Sequence, residues 1–318
     1  MPKLFLIDAN SLIHRCFHAL PPFVSPDGKP TGALYGLASI LISLLKEKPE
    51  FVVALFDRPE PTFRKQEFEA YKAQRPKAPD ELVWQIKEAH NLFLNFGIKV
   101  FEKAGFEADD LIASFVEKFK NEKNLLIIIL TGDRDTLQLV SDNKVIVRIL
   151  KKGVSETEDY NEEMVLEKFG VSPQKIIDFK ALVGDPSDNI GGIPGIGPQT
   201  TKDLLNKYGS IEELYKNLNA LPPKIKEKLE KHKNDLLLAQ RLVTLQKDIN
   251  INTNLEDLKI NLNKEELIRY FQELGFKSLI LRLEKYLSTE NPKEKASKKA
   301  SKKTLNIESK NPKQISLF

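Results

Sequence analysis

The sequence predicts an α/β fold, a mostly parallel sheet flanked by helices, joined to a mainly helical second region. Three observations predict it. Short, continuous apolar runs at 3–8, 51–57, 125–133 and 144–149 alternate with helical patterns. Continuous apolar strands between helices imply a sheet covered on both faces. Three of the runs lead into an aspartate, namely Asp8, Asp57 and Asp133. After about residue 160 the apolar runs stop and helical patterns with readable caps take over.

Taken in order, residues 3–8 form an apolar strand ending in Asp8. Leu34, Leu37, Ala38, Leu41 and Leu45 repeat at helical spacing and predict a helix over 33–46. The strand 51–57 ends in Asp57. A helix over 82–96 stops at Gly97, and one over 107–119 opens with acids. In the second region Ser172-Pro173 opens a helix that Gly184 follows. Ser210 with Glu213, and Asn263 with Glu266, have capping-box spacing. The expected organisation is a core at 1–160, a helical region at 161–288, and a flexible Lys/Ser-rich linker at 289–313. An apolar peptide, Gln314-Ile-Ser-Leu-Phe318, lies beyond the linker.

Composition narrows the function. The chain has 318 residues, 30% charged and 41% hydrophobic, which excludes a wholly disordered protein. Its longest aliphatic run, Leu125–Leu130, falls far short of the ~18 residues a spanning helix needs. No signal peptide is expected at the N-terminus. A single cysteine, Cys16, excludes a disulfide framework and a thiolate zinc site, and fits a reducing, cytoplasmic setting. The net charge is +4, but residues 289–318 alone carry +5, so the body is slightly acidic. Nucleic-acid binding must therefore be argued from local clusters.

The acids form the first cluster. In open parallel sheets ligands bind beyond the carboxyl ends of the strands, where Asp8, Asp57 and Asp133 converge. Glu107, Asp109 and Asp110 open a helix, Asp135 follows Asp133, and Asp185 and Asp188 share one turn. Any one of these could be an ordinary cap or loop residue. Together they would repel and raise each other's pKa values unless cations intervened. An all-oxygen donor set favours Mg²⁺ or Mn²⁺ over zinc. Two such ions can stabilise the leaving oxygen of a phosphodiester.

Two further segments point to nucleic acid. Residues 58–77 mix Arg64, Lys65, Lys72, Arg75 and Lys77 with Phe63, Phe68 and Tyr71 directly after Asp57. Cations contact phosphates and aromatics stack on bases, although a solvated amphipathic helix has the same look. Residues 191–204 place Gly195-Ile-Gly197 before a Pro-started helix, with Thr200, Thr201 and Lys202 behind it. Backbone N–H groups in such a turn bind phosphate without reading sequence.

These motifs together resemble the 5′-nuclease (flap endonuclease) superfamily. The similarity is strongest to the 5′→3′ exonuclease domain that opens bacterial DNA polymerase I. They are Leu6-Ile-Asp8-Ala-Asn-Ser-Leu-Ile-His-Arg15, Phe56-Asp57, Tyr71-Lys-Ala-Gln-Arg75, Gly105-Phe-Glu107-Ala-Asp109-Asp110, Thr131-Gly-Asp133-Arg-Asp135, Gly184-Asp185-Pro-Ser-Asp188-Asn189 and Gly195-Ile-Gly197, spread over residues 3 to about 287. The resemblance implies a PIN-like core and a two-metal phosphodiesterase acting near 5′ ends and flap junctions of DNA, with RNA primers as further substrates. Asp8, Asp57, Glu107, Asp109, Asp110, Asp133, Asp135, Asp185 and Asp188 would hold the metals directly or through water. Lys72 and Arg75 would clamp the scissile phosphate, and Tyr71 would stack on a terminal base. Residues 58–80 would form a helical arch. Residues 191–205 would be a helix-hairpin-helix gripping duplex DNA, with K⁺ in the hairpin.

The resemblance further implies a monomer acting at the nucleoid in replication and repair, with no membrane partner. If the chain is complete, it is a stand-alone nuclease. The C-terminal peptide resembles the bacterial sliding-clamp-binding motif, with Gln314, Leu317 and Phe318 as its anchors. A non-catalytic DNA-junction binder and an RNA-directed nuclease of related fold are the alternatives.

Overall fold

The computed structural model describes residues 1–153 and 155–290. The 314–318 peptide and the linker from 291 onward lie outside the described residues. The linker's first two predicted residues instead close the last helix, which runs from Lys277 to Glu290.

A six-stranded sheet carries the molecule. Its strands are β1 (Lys3–Asp8), β2 (Phe51–Phe56), β3 (Lys99–Glu102), β4 (Leu126–Thr131), β5 (Val145–Lys152) and β6 (Glu156–Tyr160), in the order β3-β2-β1-β4-β5-β6. All pairings are parallel except β5 with β6. The first three strands run outward in one direction and the next in the other, so β1 and β4 flank the point where the order reverses. Ligands bind in the crevice at such a point.

Alternation along the strands explains why both faces are covered. Leu4, Leu6, Val53, Leu55, Ile127 and Ile129 face one core. Phe5, Ile7, Val52, Ala54, Ile128 and Leu130 face the other. Every one is buried. The second core is closed by α1 (Ala9–Ala19), α2 (Gly32–Leu45) and α4 (Asp80–Asn95). Helix α2 is apolar nearly all round because it packs against α1, α4 and the last helix at once. The first core is closed by α5 (Ala108–Phe119) and the helical region.

That region contains α6 (Glu162–Phe169), α7 (Ile176–Val183), α8 (Pro198–Tyr208), α9 (Ile211–Lys216), α10 (Pro223–Lys231), α11 (Lys233–Val243), α12 (Lys264–Glu273) and α13 (Lys277–Glu290). Between α7 and α8 a two-residue ladder pairs β7 (Gly184–Asp185) with β8 (Ile190–Gly191). The predicted caps form: Ser210 accepts from the Glu213 amide and Asn263 from the Glu266 amide. After α11 the chain returns across α5 on a ladder of polar contacts. Ser114 Oγ donates to the Gln246 carbonyl, Lys118 Nζ to the Ile251 carbonyl, and Gln138 bonds both Val243 and Leu245. Tertiary contact with buried side chains thus satisfies backbone that belongs to no regular element.

Three elements depart from expectation. Strands β3 and β6 carry Lys, Glu and Asp and lie at the two edges, where charge protects against stray pairing. The 58–80 segment makes only the five-residue α3 (Phe63–Glu67) and then turns through 75. It lies against the site rather than standing over it as an arch.

Candidate active site

Helix starts and strand ends build the site. Asp8 ends β1 and caps α1. Its Oδ1 accepts from the Ser11 amide at 3.0 Å, and its Oδ2 accepts from the Thr131 hydroxyl at 2.7 Å. Thr131 Oγ1 in turn accepts from the Asp133 amide, and Ser11 Oγ from the Gly132 amide. The ends of β1 and β4 are therefore cross-tied. Asp57 follows β2, and its Oδ1 accepts from the Ala108 amide at the start of α5 at 2.6 Å. Glu107 caps that same helix in a reciprocal box with Asp110. Two helix N-termini thus face the acids, which favours negative charge there.

The result is a cleft of about 410 Å³ lined by Asp8, Asp57, Glu107, Asp109 and Asp133, with Lys72 and Arg75 on its rim. Asn10, Ser11, His14, Ala108, Gly132 and Ser187 complete the lining. Burial, with Asp57 and Asp133 nearby, pushes the Asp8 carboxyl up to about 7. Burial also lifts Asp109, and Asp110 and Glu107 add to the shift. Glu107 goes the other way: burial would raise it, but Lys72 and Arg64 hold it below the usual carboxylate range. Burial, with His18 and Arg75 nearby, lowers His14, so its ring is neutral at pH 7.

The remaining acids form a second group. Asp135, Asp185 and Asp188 are buried, and their carboxylates bring oxygens within 4.8 Å of one another. The two groups are joined by the segment after α3. The Tyr71 hydroxyl lies 3.0 Å from both Glu107 and Asp188 and has one proton to share between them. Lys72 Nζ lies 2.8 Å from Glu107 and 3.8 Å from Asp188, and Arg75 Nη2 lies 2.6 Å from Asp188. Lys72 adopts φ +52°, an uncommon value for a residue with a side chain, held by the hydrogen bond its amide N–H donates to the Asp188 carbonyl.

Divalent cations fit this donor set. The facing donors are hard carboxylate oxygens, and Asp109 Oδ1 is buried with no hydrogen-bond partner. A buried acceptor left without a donor is costly, and a cation would remove that cost.

Several predicted residues sit elsewhere. Asp110 is fully buried with both oxygens spent: Arg64 binds them in a fork at 2.7 Å, and the Gln246 amide also donates to Oδ1. It does not line the cleft. Arg64 is only 1% exposed and donates as well to the Leu242 and Thr244 carbonyls, so it cannot reach DNA. Burial would lower its pKa, but Asp109, Asp110 and Glu107 raise it, so it stays charged. The Tyr71 ring is buried and offers no open face to a base. Phe63 is half-buried, with Arg64 and Arg241 against its ring. In the hairpin, Gly195 turns with φ +74° and Gly197 caps α8. Thr201 is fully buried, and the Lys202 stem lies against Gly170, leaving the half-buried Thr200 nearest the predicted role. Lys228 Nζ donates to the Gly195 carbonyl at 2.9 Å. Lys180 and His14 were not anticipated as site residues: Lys180 is the lone basic residue of an apolar helix, and His14 shares α1 with Arg15 and His18, so neither carries a local signal of what it faces.

A carboxylate cleft at the switch point of a parallel sheet, with two basic residues at its rim, has the donor set for divalent cations. The comparisons identify the family. Residues 3–170 match the 5′-3′ exonuclease N-terminal resolvase-like domain, and residues 171–266 match the 5′-3′ exonuclease C-terminal SAM fold. The chain belongs to the 5′-3′ exonuclease family. It is 42% identical to a 5′-3′ exonuclease of Aquifex aeolicus over 90% of this chain and 96% of that one. It is 44% identical to the DNA polymerase I of Caldicellulosiruptor bescii over 88% of this chain and 33% of that protein. The chain thus spans about a third of the length of the DNA polymerase I relatives it matches. Among solved structures, T5 5′-exonuclease with bound zinc has a similar fold (TM-score 0.63, 20% identity, 90% of this chain and 98% of that one). The catalytic core of Rad2 in complex with DNA does too (TM-score 0.59, 16% identity, 89% and 92%).

Two predictions follow from the geometry. Arg64→Met strands the buried Asp110 charge and should cost roughly 3–5 kcal/mol in urea unfolding. Arg64→Lys should not restore it, because an ammonium cannot make the fork. A loss below about 1 kcal/mol would contradict the pin. The second concerns Asp8. Its folded pKa lies above its unfolded value, so its charge costs stability as pH rises from about 4 to about 7, and fully above that. At pH 8 without metal, Asp8→Asn should therefore melt higher than wild type. Its gain in Tm on adding Mg²⁺ should be smaller. A lower metal-free Tm at pH 8 would refute this reading.

Proposed function

We propose that the chain is a structure-specific 5′→3′ exonuclease and flap endonuclease. It would hydrolyse phosphodiester bonds near 5′ ends and flap junctions of DNA, RNA primers included, in primer removal and repair. One observation carries the reading: the cleft gathers Asp8, Asp57, Glu107, Asp109 and Asp133 with an orphaned oxygen, and sets two cations on its rim. Those five acids would hold one divalent ion, Mg²⁺ or Mn²⁺, and Asp135, Asp185 and Asp188 the second. Ions bound there supply Lewis-acid stabilisation to a phosphodiester.

The chain's own residues do the rest. Lys72 and Arg75 contact carboxylates at the rim, and a phosphate entering the cleft offers both a competing anion. The cross-tied ends of β1 and β4 fix Asp8 and Asp133 before substrate arrives, so little reorganisation is needed. The open backbone of the Gly195–Gly197 turn and the α8 N-terminus suit a DNA phosphate. K⁺ in the hairpin would share the Gly195 carbonyl with Lys228. The enzyme would work as a monomer in the cytoplasm at the nucleoid. Among the described residues no helix is long and apolar enough to cross a membrane.

The test is cleavage of a 5′-labelled flap duplex in Mg²⁺. Wild type should cut near the junction, and Asp133→Ala should lose at least ~100-fold in rate while still binding the flap. Binding without cleavage by wild type would instead support a junction-binding protein. Cleavage of structured RNA alone would support the RNA-directed alternative.

The Gln314–Phe318 peptide is proposed to dock on the bacterial sliding clamp, burying Leu317 and Phe318 and raising the local concentration of nuclease at nicks. Removing residues 314–318 should abolish capture on immobilised clamp and leave cleavage of free flap DNA unchanged. Equal capture with and without the peptide would dismiss the proposal.

A further inference from the structure

The two acid groups differ in what already balances them. In the cleft, Lys72 and Arg64 pair Glu107, but no ion pair reaches Asp8, Asp57 or Asp133 among the described residues, and Asp109 keeps a buried oxygen with no hydrogen-bond donor, 3.9 Å from Arg64. In the second group, an ammonium is already in place. Lys180, in the last turn of α7, bonds Asp135 through Nζ and lies 2.6 Å from Asp185, with its side chain 18% exposed. Arg75 holds Asp188, the third member. Three carboxylates with oxygens within 4.8 Å of one another thus already share two cations of the same chain. Asp185 shows the effect. Burial would raise it, but Lys180 and the Ser187 donors keep it below the usual carboxylate range.

We propose that Lys180 is a built-in counter-ion of the second metal site, and that a divalent cation enters Asp135–Asp185–Asp188 only by displacing its ammonium. The inference rests on the metal-site reading above. The two sites are then unequal. The cleft site binds first and tightly. The second binds weakly and fills last, because the ion must replace a partner the acids already have. Lys180 is a positioning residue: it acts on the site's occupancy through the acids and contacts no substrate.

The experiment is a Mn²⁺ titration of the metal-free full chain, with free Mn²⁺ counted by electron paramagnetic resonance. Wild type should show two classes of site at least about tenfold apart in Kd. Lys180→Met should tighten the weak class by at least about tenfold and lower the metal-free Tm. Lys180→Arg, which keeps the charge, should leave the weak class near wild type. A weak-class Kd that is unchanged or weaker in Lys180→Met would overturn the proposal, as would two equal classes in wild type. If Lys180→Met does not fold, wild type labelled with ¹³Cε-lysine decides. The Lys180 resonance, assigned with Lys180→Arg, should move with the weak phase of a Mg²⁺ titration. A resonance that stays fixed through that phase would overturn it. Failure of the underlying reading looks different: wild type would bind no Mn²⁺, or Asp8→Asn would bind it as wild type does.

Discussion

Crowded negative charge is the constraint around which this molecule is arranged. Eight carboxylates occupy two adjoining groups at the carboxyl edge of one sheet, and two unit charges 4 Å apart repel by about 4 kcal/mol at an effective dielectric near 20. The fold offsets this with three kinds of positive partner. Helix starts aim amides at Asp8 and Asp57. A threonine hydroxyl binds Asp8. Lys72, Arg75 and Lys180 bring full charges to Glu107, Asp188, Asp135 and Asp185. The offset is incomplete where it matters. Asp8 and Asp135 are still pushed up to about 7, chiefly by burial and then by neighbouring acids. That residual cost is free energy a divalent cation can recover.

The partners come from far along the chain, so the site is also a joint. Residues 64–75 supply Arg64, Tyr71, Lys72 and Arg75. Residues 180–188 supply Lys180, Asp185 and Asp188. Gln74 Nε2 donates to the Pro186 carbonyl and Asn189 Nδ2 to the Ala70 carbonyl, which zips the two segments together. Arg64 reaches from α3 to both the start of α5 and the carbonyls at the end of α11, Leu242 inside it and Thr244 just beyond. The sheet half and the helical half are therefore held together partly by the charges that would bind the metals. Residues 69–75 rest where they do because acids are there to receive their cations.

Most of the fold was legible, for a physical reason. Strands buried on both faces must be apolar throughout, so β1, β2, β4 and β5 read as continuous runs ending within a few residues of where they end in space. Edge strands obey a different rule. β3 and β6 need charge at the sheet margin, and their sequences look like loops. The acids were legible as a set because nothing but function or caps puts carboxylates after so many apolar runs. Their cations were not. A lysine four residues before Gly184 carries no mark of facing inward, and Arg64 sits in a segment whose Lys65, Arg75 and Lys77 are exposed. Burial of a long cation is decided by which acid it meets, and that meeting spans more than forty residues of sequence.

Asp109 and Asp110 show why a motif read letter by letter overstates a site. They are consecutive in the first turn of α5, and a helix turns ~100° per residue, so they point to different surroundings. Asp109 looks into the cleft with an unbonded oxygen. Asp110 looks into the joint with every lone-pair direction answered. Its fork keeps Arg64 in position, and Arg64 in turn helps hold Glu107 ionised at the cleft's edge. The spent acid thus acts on the cleft through a cation and a neighbour, without facing it. A site of this kind needs both sorts: carboxylates already satisfied, which fix where the helix start lies, and carboxylates left unsatisfied, which give an incoming ion something to bind.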